Sequence, residues 1–315
     1  MLKVAVTSKS FSNSKFLRAK LLEVSPNCKF NYATELKENN DLVKFLDDCE
    51  AAIIGLDNIN DTILKALPKL RYISKYGVGL NNIDLLACEK RGVGIGWTGG
   101  LNKTSVAEQV VCFMISLMRN IFFSSYKLKQ GHWEKSGGRE LSGKTIGIIG
   151  LGNIGKEVVR LLQPFSCDIL YNDIVDQDDF ASKYGLKKST KKEIFSNADI
   201  ITIHTPLDES TFKLVNAEIL NLMKETSYLI NTARGGIVDI NAIKNSLRSK
   251  KIAGAAIDTF PKEPLSKSNE SELLELENLI CTPHIGGNSF EAINSLGSSA
   301  IKHLKNFLYK ERGGY

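Results

Sequence analysis

Residues 145–173 read TIGIIGLGNIGKEVVRLLQPFSCDILYND and contain, in order, the parts of one supersecondary unit. The apolar run at 146–149 predicts a strand, the turn GLGNIG occupies 150–155, and a helix-like segment follows. A second apolar run then leads to Asp173. Strand, glycine-rich turn, helix, strand and acid in this order are typical of a βαβ unit that binds a dinucleotide.

Each glycine of this turn has a separate predicted purpose. Gly150 lets the chain turn tightly, Gly152 lets the backbone approach a pyrophosphate, and Gly155 lets the helix sit close to the strand. The N–H groups at the helix start, together with the helix dipole, favour the phosphate charge. A G-x-G-x-x-G sequence alone is weak evidence in a chain with 25 glycines, so the prediction rests on the flanking strands and the acid.

Asp173 follows the glycines by about 20 residues, where a carboxylate holds the ribose hydroxyls of a dinucleotide. A 2′-phosphate would be repelled there, and the next residues, Ile174 and Val175, supply no cation. The predicted cofactor is therefore NAD. The alternative interpretation of Asp173 is a solvated loop acid.

The composition is that of an ordinary globular chain with about two domains. The 315 residues are 43% hydrophobic and 24% charged, and the net charge is +6. Because this charge is small for the length and no Lys or Arg cluster is dense, nucleic-acid binding is not expected. The longest apolar run, 110–118, is too short to span a membrane.

The cysteines and histidines predict no metal site. The six cysteines form no C-x-x-C pair, and the four histidines are not spaced with them. Most of the cysteines lie in apolar segments, which predicts reduced core thiols in a cytoplasmic protein.

A β-then-α rhythm runs through residues 2–95. Short apolar strands separated by amphipathic helices predict a parallel sheet covered on both faces; the strands are expected at 3–6, 51–54, 72–74 and 93–95. No glycine turn follows the first strand, so this segment is a second α/β unit with a different purpose.

A long helix and an irregular segment lie between the two units. The apolar stripe of 104–119 predicts a bridging helix. From 121 to 142 the pattern breaks into Ser, Lys and Gly around Tyr126 and Trp133. Such an arm is either an oligomer contact or a flexible loop, and the sequence leaves both open.

Three polar residues, Arg234, Glu263 and His284, each follow a predicted strand, where open α/β sheets bind ligands. A nicotinamide moves a hydride but not the accompanying proton, and His is suited to that transfer near neutral pH. A neighbouring carboxylate such as Glu263 would hold the imidazole, and the Arg234 guanidinium would grip a substrate carboxylate at two points.

Ordinary structural roles remain open for these residues. His284 could bond a backbone carbonyl, Glu263 could be a solvated loop acid, and Arg234 could bind a helix end. His204, which also follows a predicted strand, could line the adenine or ribose pocket or be a strand-end histidine.

Nearly the whole chain resembles the D-isomer-specific 2-hydroxyacid dehydrogenases, most closely the phosphoglycerate dehydrogenase branch. The resemblance rests on the glycine turn and five further motifs in the family order: KYGVGLNNID (75–84), NKTSVAE (102–108), NTARG (231–235), DTFPKEP (258–264) and TPHIGG (282–287).

The resemblance implies site residues. His284 would be the acid–base residue, Glu263 its partner, and Arg234 the residue that binds the substrate carboxylate. Beyond the glycines and Asp173, the implied cofactor contacts are Thr104, Asn153, Ile154, His204, Thr205, Pro206, Thr232, Ala233, Asp258, Gly286 and Gly287. With Arg234 and His284, the implied substrate contacts are Lys75, Tyr76, Gly77, Val78, Gly79 and Asn102, the carboxylate being held by the N–H groups of Val78 and Gly79.

The resemblance also implies an architecture. Two doubly wound, parallel-sheet α/β domains of the Rossmann or flavodoxin-like kind would face each other across a cleft. The substrate domain would be 1–99 with 288–315, and the NAD domain would be 100–287. The arm 121–142 would build a homodimer.

The expected activity is hydride transfer between NAD and C2 of a small D-2-hydroxy or 2-oxo acid, 3-phosphoglycerate included. The loop 55–58, GLDN, carries an acid where phosphoglycerate enzymes usually carry a cation. This departure keeps an unphosphorylated substrate, of the hydroxypyruvate or glyoxylate kind, as an alternative, although Lys75 could still supply one positive charge. A rival from another class is a non-catalytic, NAD(H)-sensing corepressor-like protein.

Overall fold

The computed structural model describes residues 2–32, 36, 39–135 and 137–311, and leaves out the side chains of 267–270. Parts of the predicted domains and arm therefore lie outside the described residues, namely 1, 33–35, 37–38, 136 and 312–315. The chain forms two compact units: a first unit of Met1–Asn102 and Asn288–Tyr315, and a second unit of Lys103–Gly287. The first division falls at 102–103, where the sequence had suggested 99–100.

Within the described residues, the first unit contains a five-stranded parallel sheet of order β2-β1-β3-β4-β5. Both faces of β1 and β3 are buried, which is why their sequences are continuously apolar. The strands are β1 (Val4–Val6), β2 (Cys28–Phe30), β3 (Ala51–Ile54), β4 (Tyr72–Lys75) and β5 (Gly94–Gly96).

Short helices connect these strands. The side chains of Ser14, Asn60 and Asp84 cap α2, α4 and α5, each accepting a backbone N–H from the first turn. The bounds are α1 (Lys9–Asn13), α2 (Lys15–Val24), α3 (Asn39–Leu46), α4 (Asp61–Ala66) and α5 (Leu85–Lys90).

In the described part of the second unit, seven parallel strands follow the order β12-β11-β10-β9-β6-β7-β8. The strand order reverses at β6, which lies between β9 and β7, and such a switch point is where open α/β sheets bind ligands. The strands are β6 (Thr145–Ile149), β7 (Asp168–Asn172), β8 (Lys187–Lys188), β9 (Ile200–Ile203), β10 (Tyr228–Asn231), β11 (Gly254–Ile257) and β12 (Leu279–Cys281).

Helices cover this second sheet. Val106, Val110 and Met114 of α6 pack with Val158 of α8 in one buried core. The bounds are α6 (Lys103–Met118), α7 (Ile121–Lys129), α8 (Asn153–Leu162), α9 (Asp178–Tyr184), α10 (Lys191–Asn197), α11 (Ala217–Leu222), α12 (Ile240–Arg248) and α13 (Lys267–Leu274).

The last helix, α14 (Phe290–Glu311), belongs to the first unit. A Cβ placed on Gly297 would lie 2.4 Å from the Leu17 side chain, so the helix packs closely on α2. The Phe307 ring stacks on Tyr72 of β4 with ring centroids 4.4 Å apart. These contacts join the end of the chain to the sheet formed by its beginning.

The segment predicted as irregular from residue 121 begins with a helix, α7. It follows α6 directly, and Asn120 between them adopts a left-handed conformation with φ of 52°. The Lys127 amino group binds the Glu277 carboxylate at 2.6 Å. Among the described residues no single helix is long and apolar enough to cross a membrane; α6 and α7 reach that length only together, and they bend by 67° where they meet.

Candidate active site

The glycine turn after β6 needs glycine at two positions for steric reasons. Gly150 has φ of 94°, and a Cβ there would lie 2.8 Å from the His204 carbonyl carbon. A Cβ on Gly155 would lie 2.3 Å from the Gly150 oxygen. The turn therefore brings α8 so close to β6 that no side chain fits at these two positions, and glycine is required.

Gly152 is different, because a Cβ there would meet no atom within 4 Å. It is the N-cap of α8, and no side chain caps the first N–H groups of the helix, where Asn153 and Ile154 lie. Open space in front of the N-terminus of a ten-residue helix suits a pyrophosphate, because the N–H groups and the helix dipole attract negative charge.

Asp173, at the end of β7, is tied to the glycine turn. One carboxylate oxygen accepts a hydrogen bond of 2.6 Å from the Leu151 N–H, and the other accepts one of 2.8 Å from the Val175 N–H. The side chain of Ile174 is 96% exposed. The carboxylate is thus held at the edge of the turn, beside an apolar surface and with no cation in the two residues that follow.

Three polar atoms beyond β9 and β10 are buried without a hydrogen-bond partner in the described residues: His204 Nδ1, Thr205 Oγ1 and Thr232 Oγ1. The other nitrogen of His204 lies 3.0 Å from the Thr202 hydroxyl. Burial lowers the pKa of His204 to about 3, so the imidazole is neutral. Because buried polar groups are usually bonded, these atoms fit a ligand with polar groups of its own.

Two further predicted cofactor contacts of this region, Ala233 and Pro206, have backbone groups that bond to side chains of the protein. The Ala233 N–H donates to the Asn231 side chain at 3.1 Å, and the Pro206 carbonyl accepts the Thr211 hydroxyl at 2.7 Å. Thr104 is exposed in the first turn of α6. Their contacts with the cofactor remain predictions.

Asp258, which follows β11, is buried, and both of its carboxylate oxygens have protein partners. They accept the N–H groups of Ile285 and Gly286 at 2.9 Å each, and also the Thr282 hydroxyl. The Gln109 amide of α6 donates to Asp258 at 3.3 Å. Asp258 therefore fixes the loop that contains His284, and its contact with the nicotinamide remains a prediction.

His284 and Glu263 form the central pair of the site. Imidazole Nδ1 lies 2.9 Å from Glu263 Oε2, and Glu263 Oε1 accepts the Phe260 N–H at 2.9 Å. Because a carboxylate only accepts hydrogen bonds, Nδ1 carries a proton and Nε2 is the nitrogen left for a substrate. His284 has φ of 54°, so its backbone is held in a conformation that a histidine rarely adopts.

Arg234 lies on the neighbouring loop, after β10. Its guanidinium donates to the Ala233 carbonyl at 2.7 Å, and its own carbonyl accepts the Asn231 side-chain amide at 3.0 Å. A Cβ on Gly235 would lie 2.0 Å from the Phe260 carbonyl carbon. The loop of Arg234 is thus in direct contact with the loop that leads to Glu263.

The predicted substrate contacts 75–79 and Asn102 belong to the first unit. Lys75 is 4% exposed, and its amino group donates to the Asn82 side chain at 2.6 Å and to the Gly55 carbonyl. Asn102 Oδ1 is buried without a hydrogen-bond partner in the described residues. No group of three or more His, Cys, Asp or Glu that could hold a metal occurs in the part of the chain that the structure describes.

Sequence reasoning missed several residues that build this site. Gln109 and Thr282 support Asp258, and the Ser105 hydroxyl donates to the Gly286 carbonyl at 2.6 Å. The role of Gln109 was partly predictable, since it is a polar residue beside the apolar stripe of α6. The bond from Ser105 to Gly286 was not predictable, because a serine near a helix start usually suggests a cap.

Comparisons with known proteins agree on one family. The family model for the D-isomer specific 2-hydroxyacid dehydrogenase NAD binding domain matches residues 111–286. A hydroxypyruvate reductase of Thermotoga maritima is 33% identical over 89% of this chain and 90% of its own length. A glyoxylate reductase of Thermofilum pendens is 36% identical over 84% of this chain and 80% of its own length.

This chain belongs to the D-isomer specific 2-hydroxyacid dehydrogenases. A solved D-lactate dehydrogenase of Aquifex aeolicus, complexed with NAD and lactic acid, superposes with a TM-score of 0.84 and 25% identity over 98% of this chain and 96% of its own. The chain is therefore an NAD-dependent oxidoreductase of small 2-hydroxy or 2-oxo acids with two Rossmann-like domains. The open space at Gly152 and the unpartnered atoms at His204, Thr205 and Thr232 fit this cofactor.

Proposed function

We propose that this dehydrogenase reduces a small, unphosphorylated 2-oxoacid of the hydroxypyruvate or glyoxylate kind, with His284 as the proton donor. The observation that carries the acid–base role is the 2.9 Å contact between His284 Nδ1 and Glu263 Oε2. It orients the imidazole and leaves Nε2 as the atom that exchanges a proton. This is the arrangement that general acid catalysis beside a hydride carrier requires.

The protein's part in the reaction follows from these contacts. The glycine turn and Asp173 would hold NADH, which would supply the hydride for C2 of the substrate. As the carbonyl oxygen gains negative charge, the His284 imidazolium donates its Nε2 proton to that oxygen and becomes a neutral imidazole. The Glu263 carboxylate accepts the Nδ1–H before and after the transfer and so keeps the ring oriented. Arg234 binds the substrate carboxylate through its guanidinium, which fixes C2 in place.

The proposed lack of a phosphate rests on the loop 55–58. Its Asp57 carboxylate accepts the Thr7 hydroxyl, and the Asn82 amide donates to the Asp57 carbonyl at 2.6 Å. The nearby cation, Lys75, is buried and donates to protein oxygens. An acid at this loop, with the adjacent amino group already engaged, disfavours a substrate dianion.

A substrate panel tests this proposal. Purified protein with NADH should reduce hydroxypyruvate or glyoxylate with a higher kcat/KM than 3-phosphohydroxypyruvate. His284→Ala should lower kcat by about 10²–10⁴-fold, the usual contribution of acid–base catalysis. A preference for the phosphorylated substrate would refute the proposed substrate class, and an unaltered kcat in the variant would refute the role of His284.

We also propose that the protein is a cytoplasmic homodimer assembled through the arm 121–142. Support comes from large apolar side chains that are half exposed or more along the arm: Ile121, Phe122, Tyr126, Leu128 and Trp133. A patch of this kind is unusual on an isolated surface and common in interfaces. Cell fractionation tests the compartment, and sedimentation equilibrium tests the assembly.

A further inference from the structure

Trp97 contacts the loop 77–79, whose N–H groups at Val78 and Gly79 are predicted to hold the substrate carboxylate. The proposed mechanism does not use this contact. The indole Nε1–H of Trp97 donates a hydrogen bond of 3.0 Å to the carbonyl oxygen of Val78. The ring also lies over Gly99, where a Cβ would come within 3.1 Å of it. Trp97 is 41% exposed, so its ring is not a core side chain held in place by burial alone.

The bond matters because of the geometry of the peptide that it touches. The peptide between Val78 and Gly79 is planar, and in the trans form its carbonyl and its N–H point in opposite directions. A donor that holds the Val78 carbonyl therefore also sets the direction of the Gly79 N–H. That N–H is one of the two groups assigned to the substrate carboxylate.

The loop 77–79 needs such a constraint after Gly77. Before Gly77 the chain is well held: the Tyr76 N–H donates to the Ile54 carbonyl at 2.9 Å, and the Tyr76 ring packs edge-on against Phe11. Gly77 then adopts φ of 150°, and a loop with two glycines rotates easily about its peptides. The indole bond acts on the peptide that joins Val78 to Gly79, beyond the part of the chain that β4 fixes.

We propose that Trp97 is a positioning residue that orients the Gly79 N–H for the carboxylate of the 2-oxoacid. The inference rests on the proposed function and on the role that the family resemblance implies for that N–H group. Its consequence is specific: loss of the indole N–H weakens substrate binding, whereas cofactor binding in the second unit and the proton transfer by His284 are left intact.

The experiment removes the N–H of Trp97 and keeps the shape of its ring. The chain has two tryptophans, so Trp133→Phe gives a reference protein in which Trp97 is the single one. Biosynthetic replacement of tryptophan by benzothienylalanine then keeps the ring shape at position 97 and exchanges N–H for sulfur. Trp97→Phe is the simpler second variant, and Tyr309→Phe, an exposed position on α14, is the matched control.

Removal of the N–H should raise the KM for the 2-oxoacid about three- to tenfold, the effect of one hydrogen bond. The Kd for oxamate, measured by calorimetry on the NADH complex, should rise by the same factor. The kcat, the Kd for NADH and the Tm should stay close to those of the reference protein, as should every value for the Tyr309→Phe control.

The outcomes separate this inference from the proposed function. Unchanged KM and oxamate Kd would overturn the role of Trp97, and so would a parallel loss of kcat, NADH affinity and Tm, because that would be a merely structural effect. If the reference protein binds oxamate but turns over no 2-oxoacid, the proposed function fails, while the shift in oxamate Kd still decides the inference.

Discussion

At the scale of single residues, the charge of Glu263 is the feature most open to test. Glu263→Gln keeps an oxygen that can accept from His284 Nδ1, which now lies 2.9 Å away, but removes the negative charge. We expect kcat to fall by about 10- to 100-fold with little change in KM, because the charge acts on the imidazole and not on substrate binding. Steady-state kinetics measure both values, and a change confined to KM would contradict the assigned role.

His204 predicts a dependence of stability on pH. Burial lowers its pKa to about 3 in the folded protein, whereas an unfolded chain has a His pKa near 6.5. Between these values the unfolded state binds the extra proton, so the free energy of unfolding falls as the pH drops below about 6.5. His204→Gln should reduce the loss between pH 7 and pH 5 by about 1–2 kcal/mol.

Urea unfolding of the cofactor-free protein at the two pH values measures this loss. The control is His132→Gln, since His132 lies exposed in the arm. If the wild type and His204→Gln lose stability equally on acidification, another group is responsible.

Single residues also show how far the sequence could be interpreted. Gly150, Gly155 and Asp173 were predictable because the whole motif lies within one short segment. The contact of Glu263 with His284 was only a hypothesis, because no local pattern relates two residues on loops after different strands. Asp258 was predicted to touch the cofactor, and that contact stays a prediction; its bonds to the N–H groups of Ile285 and Gly286 could not be foreseen, because these residues lie almost thirty positions further along the chain.

At the scale of elements, buried strands were predicted best and short or exposed elements worst. The strand 51–54 was predicted with the observed bounds, because four apolar residues are buried on both faces. The strand β2 was missed, since its three residues are half-buried and give no pattern. The helix α7 was assigned to an irregular arm because none of its side chains is buried, so no apolar stripe indicates a core.

The glycine turn provides a matched pair of variants at this scale. Gly155→Ala would place a methyl group 2.3 Å from the Gly150 oxygen, and moving α8 away from β6 should cost about 1–3 kcal/mol of unfolding free energy. The methyl group of Gly152→Ala meets no protein atom within 4 Å, so the free energy of unfolding should be unchanged. The methyl group would, however, occupy the space proposed for the pyrophosphate.

Thermal unfolding and NADH titration distinguish the two variants. We expect Gly155→Ala to lower the Tm, and Gly152→Ala to keep the Tm but weaken NADH binding by about tenfold or more, since the close backbone approach to the phosphates is lost. Unweakened NADH binding by Gly152→Ala would place the pyrophosphate elsewhere.

At the scale of the whole molecule, the β-α rhythm predicted two parallel-sheet units, but not the order of their strands. Order depends on which crossovers pass over which face, and local sequence does not encode that. The observed order puts β9 beside β6, which explains why a Cβ on Gly150 would touch the backbone of His204. Residues about fifty positions apart thus lie side by side in the proposed cofactor site.

Assembly is the remaining property of the whole molecule that the surface predicts. Phe122 is 52% exposed and Trp133 77% exposed on the proposed arm, and covering such groups against a second copy removes apolar area from water. We expect a dimer at micromolar concentration in sedimentation equilibrium. The double variant Phe122→Glu with Trp133→Glu should be a monomer, because burying two carboxylates per protomer costs more free energy than the apolar contact contributes. Phe16→Glu, at a site 54% exposed on α2, should leave the mass unchanged. A wild-type monomer, or a dimer that survives both arm substitutions, would show that this apolar surface serves another contact.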